Sequence, residues 1–359
     1  MNITKNQHYV PQCLIKHFSW EEKKDKYKVN IFDTIQEFTR YNQSIKNVCA
    51  SNYFYGKDNR VENILSEKIE TPVSPLIDSI LKDNFSILKL EQNWMNLLKF
   101  ISTLLFRTPQ SRNKVTSHIQ KQAQSWSREL FRLNNIDPEE AERVSLNINE
   151  PETLVSWATL EGYYSSILLS DLSFHIIKNK TDLDFFVSDH PVFLHNWLYR
   201  NLEHPGVTDL VSQGLQIFIP LSPRLVLCLY DSQIYKYGAK NNCCTYITNP
   251  NDVKIINSFQ VINSESRIIF FSKETESHVK CLFEQYRTVN PYTYKSIEYE
   301  IDEPSPNQKR TRHIVYNKLP IVTEKPTFMN IKRKARKFAS AYRIRSQEIL
   351  DAYHQLRKK

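Results

Sequence analysis

Five polar residues carry chemistry that this sequence could perform: His8, Gln12, Glu62, Arg107 and Asp189. They come from well-separated segments, as residues that converge on an active site usually do. His8 could serve as a general base or a metal ligand, because an imidazole titrates near neutral pH. Glu62 and Asp189 could bind a divalent ion or move a proton, and the planar guanidinium of Arg107 could hold a phosphate through two parallel hydrogen bonds. Such a set suits phosphodiester cleavage or another phosphate-directed reaction. The cofactor is left open, with a divalent metal as the candidate.

Each residue also has a purely structural reading. His8, beside Tyr9 and Pro11, could anchor the first helix by hydrogen bonding. Arg107 at a helix C-terminus would stabilise the negative end of the dipole, worth roughly 0.3–1 kcal/mol, and could pair with Glu62. Asp189, before His190-Pro191, is a standard turn initiator. Asp182 and Asp184 read as a turn between strands. Cys13 and His17 lie one helical turn apart, but the six cysteines show no two-residue spacing of a zinc ribbon, and buried free thiols account for them better.

Several classes are excluded. Only five glycines occur, and no two lie close enough to cradle a phosphate on bare backbone, which removes P-loop and dinucleotide folds. There is no two-histidine zinc helix, no Gly-x-Ser-x-Gly elbow and no flanked catalytic cysteine. No apolar run approaches the roughly 18 residues of a membrane span, and the polar start from Met1 to Gln7 has no signal-peptide core. A soluble cytoplasmic protein without a membrane partner is the expectation.

The elements that must position these residues follow from periodicity. Val10, Leu14 and Phe18, four apart after Pro11, predict a short helix. Tyr27 to Phe32 and Glu37 to Tyr41 alternate like paired strands. Arg60 to Lys82 reads as helix with a break at Pro72 and Pro75. The spacing of Trp94, Leu97, Leu98, Ile101, Leu104 and Leu105 gives the clearest buried helix, ending at Arg107-Thr108-Pro109. More helix is predicted over 111–133, 138–146 and 151–170. After Leu172 the runs at 174–177, 185–187, 216–219 and 225–230 are strand-like, followed by a helix over 252–263, a strand over 267–271, a helix through Cys281 to Tyr286 and a strand around Ile297 to Ile301. The expected fold is α+β, with a helical centre (60–170), a mixed or antiparallel sheet built mainly over 172–303, and a basic C-terminal helix.

His8-Tyr9-Val10-Pro11-Gln12, with Leu14 and Phe18, resembles the N-terminal signature of a bacterial family known as domain of unknown function 4238. Further motifs follow in the family's order: Phe54-Tyr55 with Glu62, Arg107-Thr108-Pro109, Ser188-Asp189-His190-Pro191, Pro220-Leu221-Ser222-Pro223, and Asn257 with Gln260. The resemblance covers roughly residues 6 to 272. At position 190 the family pattern more often has Asn, so a role for His190 would not be shared. The family carries no assigned activity.

The chain's net charge is +9, and it is unevenly spread. From Ile331 to Lys359 there are ten basic residues against two acids, while the remaining 330 residues are nearly neutral. This stretch lacks Gly and Pro and spaces Ala335, Phe338 and Tyr342, then Ile349, Ala352 or Tyr353, and Leu356, as an amphipathic stripe. A separable helical extension over 304–359, after a linker at Pro304-Ser305-Pro306, is expected to display Lys332, Arg333, Lys334, Arg336, Lys337, Arg343 and Arg345 to nucleic acid. A partner protein is the other candidate for that surface. Two functions therefore stand side by side. One is a phosphate-directed enzyme on nucleic acid, a metal-dependent nuclease of the kind bacteria use as toxins or against phage. The other is a non-enzymatic protein that binds nucleic acid or protein through the basic helix. Removing the chain beyond Pro320 is expected to cost nucleic-acid affinity and leave the fold intact.

Overall fold

The two most apolar strands, Gln216–Ser222 and Leu225–Tyr230, are buried along nearly their whole length, so their sheet must be covered on both faces. The structure is a computed structural model that describes residues 4–144, 151–239, 242–289, 293–302, 309–318 and 322–358, with backbone only for 293–302 and 309–318. The sheet runs in the order Cys244–Ile247, Ser173–Asn179, Leu225–Tyr230, Gln216–Ser222, Phe193–His195. Its first pair is parallel and the others antiparallel. The two-residue period of a strand sorts its side chains between two cores. Ile176, Ile217, Ile219, Leu227 and Leu229 enter the first, which also holds Val10, Leu14 and Phe18 of the opening motif and Leu97, Leu98, Ile101 and Leu104 of the helix Glu91–Phe106. Ile177, Phe218, Val226 and Cys228 enter the second, with Val253, Ile256 and Phe259 of the helix Pro250–Asn263.

A second, antiparallel sheet joins Trp20–Lys23, Lys26–Asp33, Arg267–Phe270 and Val187–Ser188, with Phe38–Ser44 also pairing with Lys26–Asp33. Phe32, Ile268 and Phe270 pack there against Val279, Leu282 and Phe283 of the helix Thr275–Tyr286. The fold is α+β as expected, and most of the described strands follow Leu172; in addition, an N-terminal hairpin shares a sheet with a strand more than 200 residues later. Among the described residues no helix is long and apolar enough to cross a membrane.

Two local expectations change. The helix begun at Arg60 does not break at its prolines. It passes through a π-turn, Ser66–Glu70, and continues as Thr71–Leu81, with Pro72 in the first turn, where a missing N–H is tolerated, and Pro75 inside. The C-terminal stretch is not one helix. Met329–Ile331 pairs as a strand with Tyr235–Tyr237, Arg333–Phe338 is a 3₁₀ helix, Ile344 bridges to Ser212, and only Gln347–Arg357, capped by Ser346, is α-helical. Backbone bonds to the body outweigh helix propensity here: Lys332 N to Ile234 O at 2.8 Å, Gln213 N to Arg343 O at 2.9 Å and Arg345 N to Val211 O at 2.7 Å.

This stretch is also not separable. Val322, Phe328, Met329 and Ala335 are buried in the second core beside Trp197, Tyr199, Tyr235 and Tyr237. Gly206 lets the ring of Tyr342 lie against the backbone, since a Cβ there would sit 2.8 Å from that ring. The proposed linker at Pro304-Ser305-Pro306 lies outside the described residues.

Candidate functional site

The opening motif is fixed by its own strand. Asn6–His8 pairs antiparallel with Ala50–Asn52, and the fully buried Gln7 holds the following loop by accepting from Tyr55 N at 2.7 Å and donating to Gly56 O at 3.0 Å. Tyr55 is thereby aimed at the end of the helix Glu91–Phe106, where Arg107 turns inward. All three guanidinium nitrogens of Arg107 are engaged: Nε donates to Tyr55 Oη at 2.9 Å, Nη1 to Glu70 Oε1 at 2.9 Å, and Nη2 to the His8 carbonyl at 2.6 Å. At 1% exposure the group has no face for a ligand. Burial opposes its charge, but Tyr55 and Glu70 outweigh burial and hold its pKa above the ordinary value. Its ion-pair partner is Glu70, not Glu62.

His8 contributes its carbonyl to Arg107, and its ring Nε2 lies 3.3 Å from Ile45 O. Burial lowers its pKa, with the Ile45 carbonyl opposing, so the ring is a neutral hydrogen-bonding anchor. Glu62 differs from its neighbours. Its Oε2 is buried with no hydrogen-bond partner, and its pKa is pushed up to about 7, chiefly by burial, with Arg107 opposing and Glu70 adding to the rise.

Asp189 belongs to a different network. Its Oδ1 accepts from Glu265 N and its Oδ2 from both N and Oγ of Ser266, all at 2.9 Å, and it is 1% exposed. Burial raises its pKa to about 6 against those bonds. The carboxylate thus closes the turn before the strand Arg267–Phe270 and is not available to a metal or a substrate proton. Gln12 opens a short helix and lines a cleft of about 560 Å³ with Lys16, Lys28 and Lys46, a lining that includes none of the other four residues. The structure therefore brings together His8, Glu62 and Arg107, while Asp189 is held by Glu265 and Ser266 and Gln12 lines its own cleft. Among the described residues no group of three or more His, Cys, Asp or Glu is placed to hold a metal ion.

The remaining motif residues have structural partners as well. Asn257 Nδ2 donates to Asp184 O at 2.8 Å, and Gln260 accepts from Ser188 N and donates to Pro191 O, both at 2.9 Å. His190 is 1% exposed, with Nδ1 against Thr108 Oγ1. The Asn257 and Gln260 side chains satisfy buried backbone groups where the helix Pro250–Asn263 meets the segment around Val187–Ser188.

Sequence reading missed Glu70. On an unbroken α-helix, eight residues would place it about 80° round from Glu62. The π-turn takes up one extra residue and swings it back to the same side, a feature that periodicity does not reveal. Asp184 pairs with Arg224 at 2.9 Å, and His17 lies 3.6 Å from Asp78, in keeping with structural roles for both.

At the opposite side of the mixed sheet, Lys332, Arg333, Lys334, Arg336, Lys337 and Arg343 are exposed, and among the described residues none is paired with a carboxylate. Arg345 departs from the expected set. Its side chain is 6% exposed, with Nε 2.8 Å from Asp171 and its other nitrogens donating to the carbonyls of Leu168, Leu210 and Ser212. It pins the C-terminal segment down and displays no charge. Beside this surface lies a cleft of about 870 Å³ lined by Phe85, Phe174, Tyr230, Tyr235 and Tyr237, with Lys332 among its lining residues.

A family model described as protein of unknown function (DUF4238) matches residues 6–275, and the chain belongs to that family. No curated protein and no solved structure matches it.

Proposed function

We propose that this member of a family without an assigned activity is a nucleic-acid-binding protein that works through its C-terminal basic surface, and that the five-residue polar set is not a catalytic centre. The observation that carries the reading is the group of six exposed, unpaired cations between Lys332 and Arg343, held on a segment packed into the core. Six like charges fixed in place without carboxylate partners attract a polyanion and release its counterions on binding. The adjoining aromatic cleft supports the same reading, since half-buried Tyr230, Phe174 and Phe85 offer ring faces on which bases can stack.

Fluorescence anisotropy with labelled RNA, single-stranded DNA and duplex DNA tests it. Affinity should fall steeply from about 50 to about 200 mM salt, and Lys334→Gln should reduce the slope by about one. Absence of binding at the lowest salt would remove the proposal.

One observation favours a second reading, an acid–base enzyme. The buried, unpartnered Oε2 of Glu62 with a pKa about 7 is what a general acid near neutral pH requires. Incubation of the protein with labelled total RNA and plasmid DNA, with and without Mg²⁺ or Mn²⁺, separates the two. Cleavage abolished by Glu62→Gln supports the enzyme, and binding without cleavage supports the first reading.

A further inference from the structure

Three cations from two parts of the chain surround one cavity of about 520 Å³: Arg200 from the body, and Lys325 and Arg336 from the C-terminal segment, with Thr323 and Asn330 in the same wall. Among the described residues no carboxylate lines it. The acid that acts on Lys325, Asp252, is engaged elsewhere, accepting from Thr327 N at 2.8 Å and Thr327 Oγ1 at 2.6 Å.

The donors are only partly used. Lys325 Nζ gives one hydrogen to Met329 O at 2.5 Å and one to Asn330 Oδ1 at 3.1 Å, which leaves its third. Arg200 donates Nη1 to Trp197 O at 3.2 Å, and the Arg336 guanidinium has no hydrogen bond or ion pair among the described residues. The Lys325 ammonium has its pKa lowered, by burial first; Asp252 opposes, and Arg200 and Arg336 lower it further, as like charges in mutual reach must. Like charges are gathered here with free N–H groups and no carboxylate in the described wall, Asp252 being held by Thr327, so an oxyanion would satisfy both deficits. Two guanidinium groups suit the oxygens of a phosphate, and the ammonium adds a compact charge.

We propose that this cavity is an anion site that takes one phosphate group of a nucleic-acid backbone and anchors the strand on the basic surface. Arg336 lies on the same 3₁₀ helix as Arg333, Lys334 and Lys337, so a phosphate seated in the cavity starts a row of cations that a neighbouring phosphate can continue along. That continuity favours a phosphodiester chain over a small phosphate monoester. The site exists only because the C-terminal segment is docked on the body, and the proposal rests on the nucleic-acid-binding reading above.

The test uses the full chain, inorganic phosphate and a labelled single-stranded oligonucleotide, with Arg336→Gln and Lys325→Met as cavity variants and Lys334→Gln as a surface variant, all checked for an unchanged melting curve. The expected result is a loss of oligonucleotide affinity of about tenfold for each cavity variant and about twofold for Lys334→Gln, with inorganic phosphate competing against the wild type and not against Arg336→Gln. Equal losses in all three variants would overturn the anchor and leave nucleic-acid binding standing. Failure of the wild type to bind any oligonucleotide would overturn both.

Discussion

Arg107 and Arg336 carry the same guanidinium on opposite faces of one sheet, and they are used in opposite ways. Arg107 is 1% exposed, and every nitrogen donates to Tyr55, Glu70 or the His8 carbonyl, so it ties three segments of the first core together. Arg336 projects from a 3₁₀ helix beside a cavity whose described lining holds no carboxylate. Under the proposed function, residue type and motif membership do not locate the binding surface: the arginine in the family motif is the one whose nitrogens the fold has fully engaged. An unsatisfied donor at an accessible position is the better guide, because folding has already satisfied the others.

The largest test of this contrast removes residues 322–359. If the segment were a mere carrier of charge, the fold would be indifferent. Val322, Phe328 and Met329 are each worth about 1.5–3 kcal/mol when buried, so deletion should cost on the order of 5 kcal/mol and expose Trp197 and Tyr235. Circular dichroism should show loss of a cooperative melt. An unchanged melting temperature would mean that the second core closes without the segment.

Single substitutions sharpen the comparison. Arg107→Met leaves Glu70 without its partner and strips a donor from the Tyr55 hydroxyl and from the His8 carbonyl, which keeps only the Tyr55 hydroxyl at 3.2 Å, with an expected loss of about 3–5 kcal/mol. Arg345→Gln, only nine residues from Arg336, should cost about 2–4 kcal/mol, because it strips bonds to Asp171 and three carbonyls. Arg336→Gln should stay within about 0.5 kcal/mol. Urea midpoints measure all three. An Arg107 variant as stable as the wild type would erase the distinction between the two faces.

What the sequence revealed and what it concealed divide along the same physical line. Spacing exposed what is local: the helix from Trp94 to Leu105, the buried strands at 216–219 and 225–230, and the short helix marked by the Val10, Leu14, Phe18 stripe. Partner choice across the chain left no local trace. Asp189 is satisfied by Glu265 and Ser266, 76 and 77 residues away, and Arg345 by Asp171, 174 residues away. The C-terminal stripe was legible as amphipathic but not as a strand and a 3₁₀ turn, because tertiary backbone bonds decided that. Of the candidate site, the meeting of His8 with Arg107 followed from neither spacing nor charge. It depends on Gln7 holding Tyr55, and on the π-turn that delivers Glu70.

An effect smaller than those of Arg107→Met and Arg345→Gln separates the faces by pH. On the motif face, the Glu62 pKa is raised to about 7 from an ordinary value of 4.5. Between those values the folded chain holds a proton that the unfolded chain has released. Stability from this group is therefore complete below about pH 4.5 and is lost as pH rises through 7. On the other face His195, stacked edge-on against Trp197, is held neutral by burial with its pKa lowered to about 3 from 6.5. Its contribution has the opposite sign: present above 6.5 and lost as pH falls toward 3. Glu62→Gln imitates the protonated carboxyl, so it should remove the alkaline decline alone. It should gain about 1–2 kcal/mol over the wild type at pH 8, after discounting for solvent screening, and nothing at pH 4. Chemical denaturation across that range measures it. A Glu62→Gln variant that instead loses stability at pH 8 would mean that the carboxylate is charged and paired in the fold, which would return it to the structural group with Arg107.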